Sequence, residues 1–143
     1  MMEIKGDIFS IPADAIGITT NGIVDRSGRA VMGKGIALAF KNKYPGINLI
    51  LGEKLKLGNK VHLLISGKPN IFSFPTKNHW KDPSDIELIK KSLLELVELT
   101  NSNKWKKVIL PRPGCNNGKL DWNEVRKYCE LLDDRFYIYT KGD

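Results

Sequence analysis

Side chains that bind metals or form disulfides are scarce in this chain. Its 143 residues hold two cysteines, Cys115 and Cys129, and two histidines, His62 and His79. The cysteines are too few and too irregularly placed for a disulfide framework, and the histidines lie apart from them, so no zinc set can be assembled. Reduced thiols, no metal and no cofactor are expected. No apolar run approaches the ~18 residues of a membrane span. The opening MMEIKGDIFS has neither the basic nor the apolar region of an export signal, so a cytoplasmic location with no membrane partner is expected. Repeats, low-complexity tracts and linkers are missing too. With 41% hydrophobic residues, the chain can bury a real core, and one globular domain over residues 1–143, a monomer, is expected.

A narrower absence concerns nucleotides. The stretch SGRAVMGKGIALAF, residues 27–40, places four residues between Gly28 and the pair Gly33 and Lys34, but Gly35 stands where a phosphate-binding loop of nucleotide hydrolases needs a Ser or Thr hydroxyl for Mg²⁺. The polar segment 21–27 also separates Gly28 from the nearest strand-like run. The hydrolase loop is thereby excluded. What survives is general: a Gly-rich turn leading into a helix offers unpaired N–H groups and a positive dipole end to an anion.

The net charge of +7 favours polyanionic partners. The basic residues are scattered, however, except at Lys104, Lys106 and Lys107, so a solvated basic surface and a nucleic-acid patch stay open as readings.

Short β-type runs at 2–5, 15–19, 61–65, 71–74, 108–110 and 136–139 alternate with segments of helical period. That alternation predicts an α/β sandwich. The clearest helix follows Pro83: Ser84 and Glu87 are spaced as a capping box, and Ile86, Ile89, Leu93 and Leu96 line one face. Asp121 with Glu124 caps a later helix whose Trp122, Val125, Cys129 and Leu132 share a face. A third helix, carrying Ile36, Ala37, Phe40 and Tyr44, ends at Pro45 and Gly46. Residues 21–30 and 101–104 read as exposed loops. Two of these helices follow Gly-bearing turns at strand ends, at 32–35 and 113–118. Ligands of open α/β sheets sit at the carboxyl ends of strands, and two anion-accepting loops facing one crevice suit a pyrophosphate better than a lone phosphate.

KGDI at 5–8, TTN at 19–21, VMGKGIA at 31–37, FPTKNHW at 74–80 and LPRPGC at 110–115 occur in the order in which they occur in macro domains, and the resemblance spans nearly the whole chain. Within that family, VMGKGIA, FPTKNHW and KLDW resemble the DarG-type antitoxins, which remove ADP-ribose from DNA, and more distantly the terminal ADP-ribose glycohydrolases. Both branches use a lysine on a strand-end loop. The resemblance implies a three-layer α/β/α sandwich with a mixed central sheet and an ADP-ribose cleft.

Several positions acquire roles from this resemblance. Asp7 would accept a hydrogen bond from the adenine amine, with Ile8 beside it; the alternative is an Asx turn at a strand end. Gly33, Lys34, Gly35 and Ile36, after Met32, would present N–H groups to the pyrophosphate, as would Gly114, Cys115, Asn116, Asn117 and Gly118, the glycines allowing close approach. Asn21, next to Thr20, would bond the distal ribose. Tyr139 would stack on adenine or else belong to the core. Lys77 would carry catalysis, its amine deprotonated by the neighbouring charges of Lys81 and Arg112 and by burial against Trp80.

Two departures bear on substrate range. Segment 23–30, IVDRSGRA, is longer than the antitoxin pattern and is expected as an extra loop over the distal ribose. Gly118 stands where the terminal glycohydrolases carry a catalytic Asp, which favours a lysine-dependent, DarG-like reaction. Three functions follow: an ADP-ribosyl glycohydrolase acting on a nucleic acid, such as single-stranded DNA carrying ADP-ribose, or on a protein; a module that only binds ADP-ribose; and an ADP-ribose 1″-phosphate phosphatase. A phosphatase using Cys115 would need Arg where Asp121 stands.

Overall fold

A computed structural model describes residues 1–115 and 118–141. The strands are β1 (Met2–Gly6), β2 (Ala15–Thr20), β3 (His62–Ile65), β4 (Asn70–Pro75), β5 (Val108–Pro111) and β6 (Phe136–Lys141); the helices are α1 (Gly35–Lys43), α2 (Ile47–Leu55), α3 (Ile86–Asn103) and α4 (Trp122–Cys129). They form a mixed sheet of order β1-β6-β5-β2-β4-β3, parallel throughout except where β3 runs against β4. All six expected strands are present. No helix among the described residues is long and apolar enough to cross a membrane.

Strand alternation splits the interior into two cores. On one face Ala15, Phe72, Phe74, Val108, Leu110, Phe136 and Ile138 pack with Ile89, Leu93 and Leu96 of α3 and Val125 and Cys129 of α4. On the other, Ile16, Ile18, Ile71, Ile109 and Tyr139 pack with Phe40 of α1 and Ile47 and Leu51 of α2. Successive strand residues point to opposite faces, so a sheet covered on both sides reads as continuous apolar runs. The result is the three-layer sandwich.

Three local expectations are corrected. The cap of α3 is Asp85, whose carboxylate accepts from the N–H groups of Glu87 and Leu88. Ser84 is drawn elsewhere: its N–H donates to the Gly118 carbonyl and its side chain is buried beneath that loop. Residues 101–103 form the last turn of α3 rather than a loop, closed by Lys104 in the left-handed region at φ 56°. There Asn103 donates to the Leu99 carbonyl and Arg135 donates to Asn101, which fixes polar residues that otherwise favour turns.

The third correction adds α2, which starts at Gly46 (φ 94°) immediately after α1 and has no side-chain cap. Without a Ser, Thr, Asp or Asn before it, this helix carries no sequence signal at its start. Its role is to seat segment 23–30. The Ala30 N–H donates to the Asn48 carbonyl, and a Cβ on Gly52 would collide with the Gly28 carbonyl. Asp25 ties that loop internally, accepting from Ser27 and Arg29. The loop therefore leans on α2 and contributes no residue to the cleft lining, contrary to its expected place over the distal ribose. Gly52→Ala in a helix interior ordinarily gains about 1 kcal/mol. Here it is expected to lower the melting temperature, because the new methyl must push the loop off α2; a thermal melt checks the sign.

Candidate active site

Neighbouring strands β5 and β2 send their following helices to opposite faces of the sheet, α4 to one and α1 to the other. Divergence of this kind opens a crevice at the carboxyl ends of the strands. The crevice is present as a cleft of about 700 Å³, within the ~300–1,000 Å³ usual for small-molecule sites. Three loops line it: the one leading from β2 to α1, the one following β4, and the one following β5.

The first loop contributes Asn21, Met32, Gly33, Lys34, Gly35 and Ile36, with Thr20 at the strand end. Asn21 spends its amide on the loop itself, donating to the Val31 carbonyl at 3.0 Å and accepting from the Ile23 N–H at 2.9 Å. Lys34 is the N-cap of α1, with no side-chain cap and no acidic residue in the first turn. The first intrahelical bond runs from Leu38 to Lys34, so the N–H groups of Gly35, Ile36 and Ala37 have no intrahelical partner. They form a positive end suited to an anion. Gly35 itself adopts φ 55°.

The loop after β5 contributes Gly114, Cys115 and Gly118 to the lining; Asn116 and Asn117 lie outside the described residues. Gly114 (φ 74°) and Gly118 are glycines for internal reasons. A Cβ on Gly114 would stand 2.8 Å from Ser84 Cβ, and one on Gly118 would run into Ser84 Oγ. Gly33 differs, since a Cβ there meets nothing and its φ is ordinary.

Burial pushes the Cys115 thiol up to about 11, and its Sγ donates to the Pro113 carbonyl at 3.3 Å. It carries negligible thiolate at neutral pH, which removes the cysteine-based phosphatase reading. Asp121, where that reading would need Arg, caps α4 by accepting from Asn123.

Lys77 lies on the loop after β4, half-buried in the cleft wall. Its backbone is held from several sides. Thr76 donates to the Thr20 carbonyl and accepts from the Asp85 N–H, and buried Ser92 donates to the Pro75 carbonyl at 2.8 Å. Asn59, a residue with no legible role in the sequence, donates through Nδ2 to the Lys77 carbonyl at 2.9 Å and to Asn78 Oδ1 at 3.1 Å. The Lys77 Nζ approaches the Trp80 carbonyl at 3.5 Å. Burial is the chief cause that lowers its pKa below the usual lysine range, followed by the charges of Lys119 and Lys34, with Asp82 opposing. Those two lysines replace the expected Lys81 and Arg112. Arg112 is turned away to Glu3 at 3.4 Å and stacks on Trp122 with its guanidinium 5.0 Å from the ring centroid.

Asn59 yields a prediction. Asn59→Ala is expected to slow any reaction that depends on Lys77 by about tenfold, the equivalent of ~1.4 kcal/mol of misplaced transition-state contact. Affinity for a cleft ligand that does not touch Lys77 stays unchanged. Steady-state kinetics beside calorimetry on the same protein separate the two.

Three candidate residues stand outside the cleft lining. Asp7 is exposed after β1 and accepts from the Phe9 N–H and Ser10 hydroxyl, an Asx turn. Ile8 is buried. Tyr139 is buried in the core and donates its hydroxyl to the Gly6 carbonyl at 2.7 Å. All three lie at the carboxyl edge of the sheet that bears the cleft, since β1 and β6 run parallel to β5.

The fold and site together define an α/β protein whose sheet crevice is lined by an open helix end, a second Gly loop and a partly buried lysine. The family model for the macro domain matches residues 27–129, and the chain belongs to that family. It is 32% identical over 131 residues to the DNA ADP-ribosyl glycohydrolase of Mycobacterium tuberculosis, an alignment that covers 86% of this chain and 36% of that protein. This chain thus spans about a third of that relative's length. Its fold superimposes on the macrodomain of Mycobacterium tuberculosis DarG with a TM-score of 0.82 at 30% identity, covering 99% and 97% of the two chains. It superimposes on Thermosipho africanus DarTG in complex with ADP-ribose with a TM-score of 0.78 at 25% identity, covering 95% of this chain and 40% of that one.

Proposed function

We propose that this chain binds ADP-ribose in the cleft and hydrolyses the bond between its distal ribose and an acceptor, with Lys77 as the reacting group. The observation that carries this reading is the position of Lys77: a lysine with a lowered pKa, in a braced loop, on the wall of a cleft that also holds the open end of α1. The pyrophosphate would lie between α1 and the loop after β5, where N–H groups and the helix end offset its charge. Adenine would extend toward Asp7 and Ile8 at the β1 edge, and the distal ribose toward Asn21 and Lys77.

The reaction balances as ADP-ribosyl–X plus water giving ADP-ribose and X–H. A neutral Lys77 amine can attack C1″ and displace the acceptor, which leaves with the proton the amine loses; water then cleaves the new C1″–N bond, releasing ADP-ribose and restoring the amine. Alternatively the amine draws a proton from a ribose hydroxyl as a general base. Either route needs the uncharged lysine that burial and two neighbouring cations favour.

The names of the relatives and the net charge of +7 support a nucleic-acid acceptor. The test is incubation with ADP-ribosylated single-stranded DNA and, separately, ADP-ribosylated protein, with released ADP-ribose measured. Release from DNA is expected. Release from neither, together with free ADP-ribose binding tighter than about 1 mM, assigns a module that only binds. A weaker dissociation constant overturns the cleft assignment as well.

A further inference from the structure

Trp80 lines the cleft yet leaves 45% of its surface exposed. Its carbonyl sits 3.5 Å from the Lys77 Nζ, and both residues line the same cleft. The Lys81 ammonium lies 5.2 Å from its ring centroid. Among the described lining residues the charged side chains are Lys34, Lys77, Lys81, Arg112 and Lys119 against Asp82 alone. An exposed indole flanked by Lys81 and the His79 ring, in a cleft lined mainly by cations, is the kind of arrangement with which proteins hold single-stranded nucleic acid, the aromatic face taking a base and the cations the flanking phosphates. A duplex cannot present a base in this way, because its bases stack on one another.

We propose that Trp80 is the platform on which the acceptor strand stacks a nucleobase next to the ADP-ribosylated position, with Lys81 holding a phosphate of that strand. The inference rests on the glycohydrolase reading and adds the acceptor's binding site to it. A single strand is thereby preferred over duplex and over protein acceptors.

Cleavage can be silenced in a Lys77→Ala background, where dissociation constants are measured for free ADP-ribose, an ADP-ribosylated peptide and a single-stranded oligonucleotide carrying one ADP-ribose. Adding Trp80→Ala is expected to weaken the oligonucleotide about 5- to 150-fold, which is ~1–3 kcal/mol of base stacking. The peptide and free ADP-ribose change by less than about twofold. Trp80→Phe keeps most of the affinity, and Lys81→Gln flattens the salt dependence of oligonucleotide binding. An unchanged oligonucleotide constant overturns the proposal. An equal loss for all three ligands also overturns it, since Trp80 would then only shape the cleft. Failure of free ADP-ribose to bind at all counts against the glycohydrolase reading instead. In that case Trp80-dependent binding of an unmodified oligonucleotide still reads the platform by itself.

Discussion

Lys77→Ala is expected to reduce release of ADP-ribose by about 10²–10⁴-fold, the range for removing a nucleophile or general base, while free ADP-ribose binds as tightly as before. The pyrophosphate contacts assigned to α1 and the β5 loop do not use this side chain, so binding and chemistry separate. The variant also leaves the backbone bonds of Asn59, Thr76 and Asp85 in place, so the loop keeps its shape. The pH profile of kcat/KM gives an independent readout, because it reports groups of the free enzyme. The amine must be neutral to react, and its pKa lies below the usual lysine range. The rate therefore rises with pH and levels off before that range is reached. Lys119 is the larger of the two cationic causes. Lys119→Asn, a residue tolerated at its φ of 63°, removes that charge, raises the Lys77 pKa and moves the rising limb to higher pH. The variant is slow near neutrality and converges on wild type in alkali. Full activity in Lys77→Ala makes the lysine a bystander, and an unmoved limb in Lys119→Asn removes the electrostatic account.

Gly33→Val and Gly114→Val are expected to fail in opposite ways. Gly33 has an ordinary φ and open space where a Cβ would stand, so its valine variant folds with nearly unchanged stability. Its side chain projects where the pyrophosphate must approach the start of α1, and ADP-ribose affinity falls by about tenfold or more, at least ~1.4 kcal/mol. At Gly114 the φ of 74° and contacts of 2.8 Å to Ser84 and 3.0 Å to Ile89 and Leu120 leave no room. Valine there combines about 1–3 kcal/mol of backbone strain with a similar cost of overpacking, a large share of the ~5–15 kcal/mol of a typical domain. Urea melts and calorimetry on both variants check the pair. A Gly33→Val protein that binds normally would show that the helix end is not where the anion sits.

The sequence by itself determined the layering. Strands 15–20, 70–75 and 108–111 carry apolar residues on both faces because both faces are covered, and the strong face of α3 needs no tertiary knowledge to be seen. It also pointed to one crevice for the residues around 32–36 and for Gly114, Cys115 and Gly118, since their Gly-bearing turns follow strands of one sheet. Only the tertiary structure decided what these turns are for. Ser84 reads as a cap by spacing, yet the loop after β5 descends onto it and passes the cap to Asp85. Segment 23–30 reads as a flap over the site, yet a glycine in a helix with no start signal lets it lie against α2. Lys77 is conspicuous in the sequence, but Asn59, Lys34 and Lys119, which brace it and set its charge, are distant along the chain. Local patterns record what a residue does to its own backbone. Bracing, close approach and mutual repulsion act between segments joined only by the fold, and these decide which lysine stands on the cleft wall with a lowered pKa.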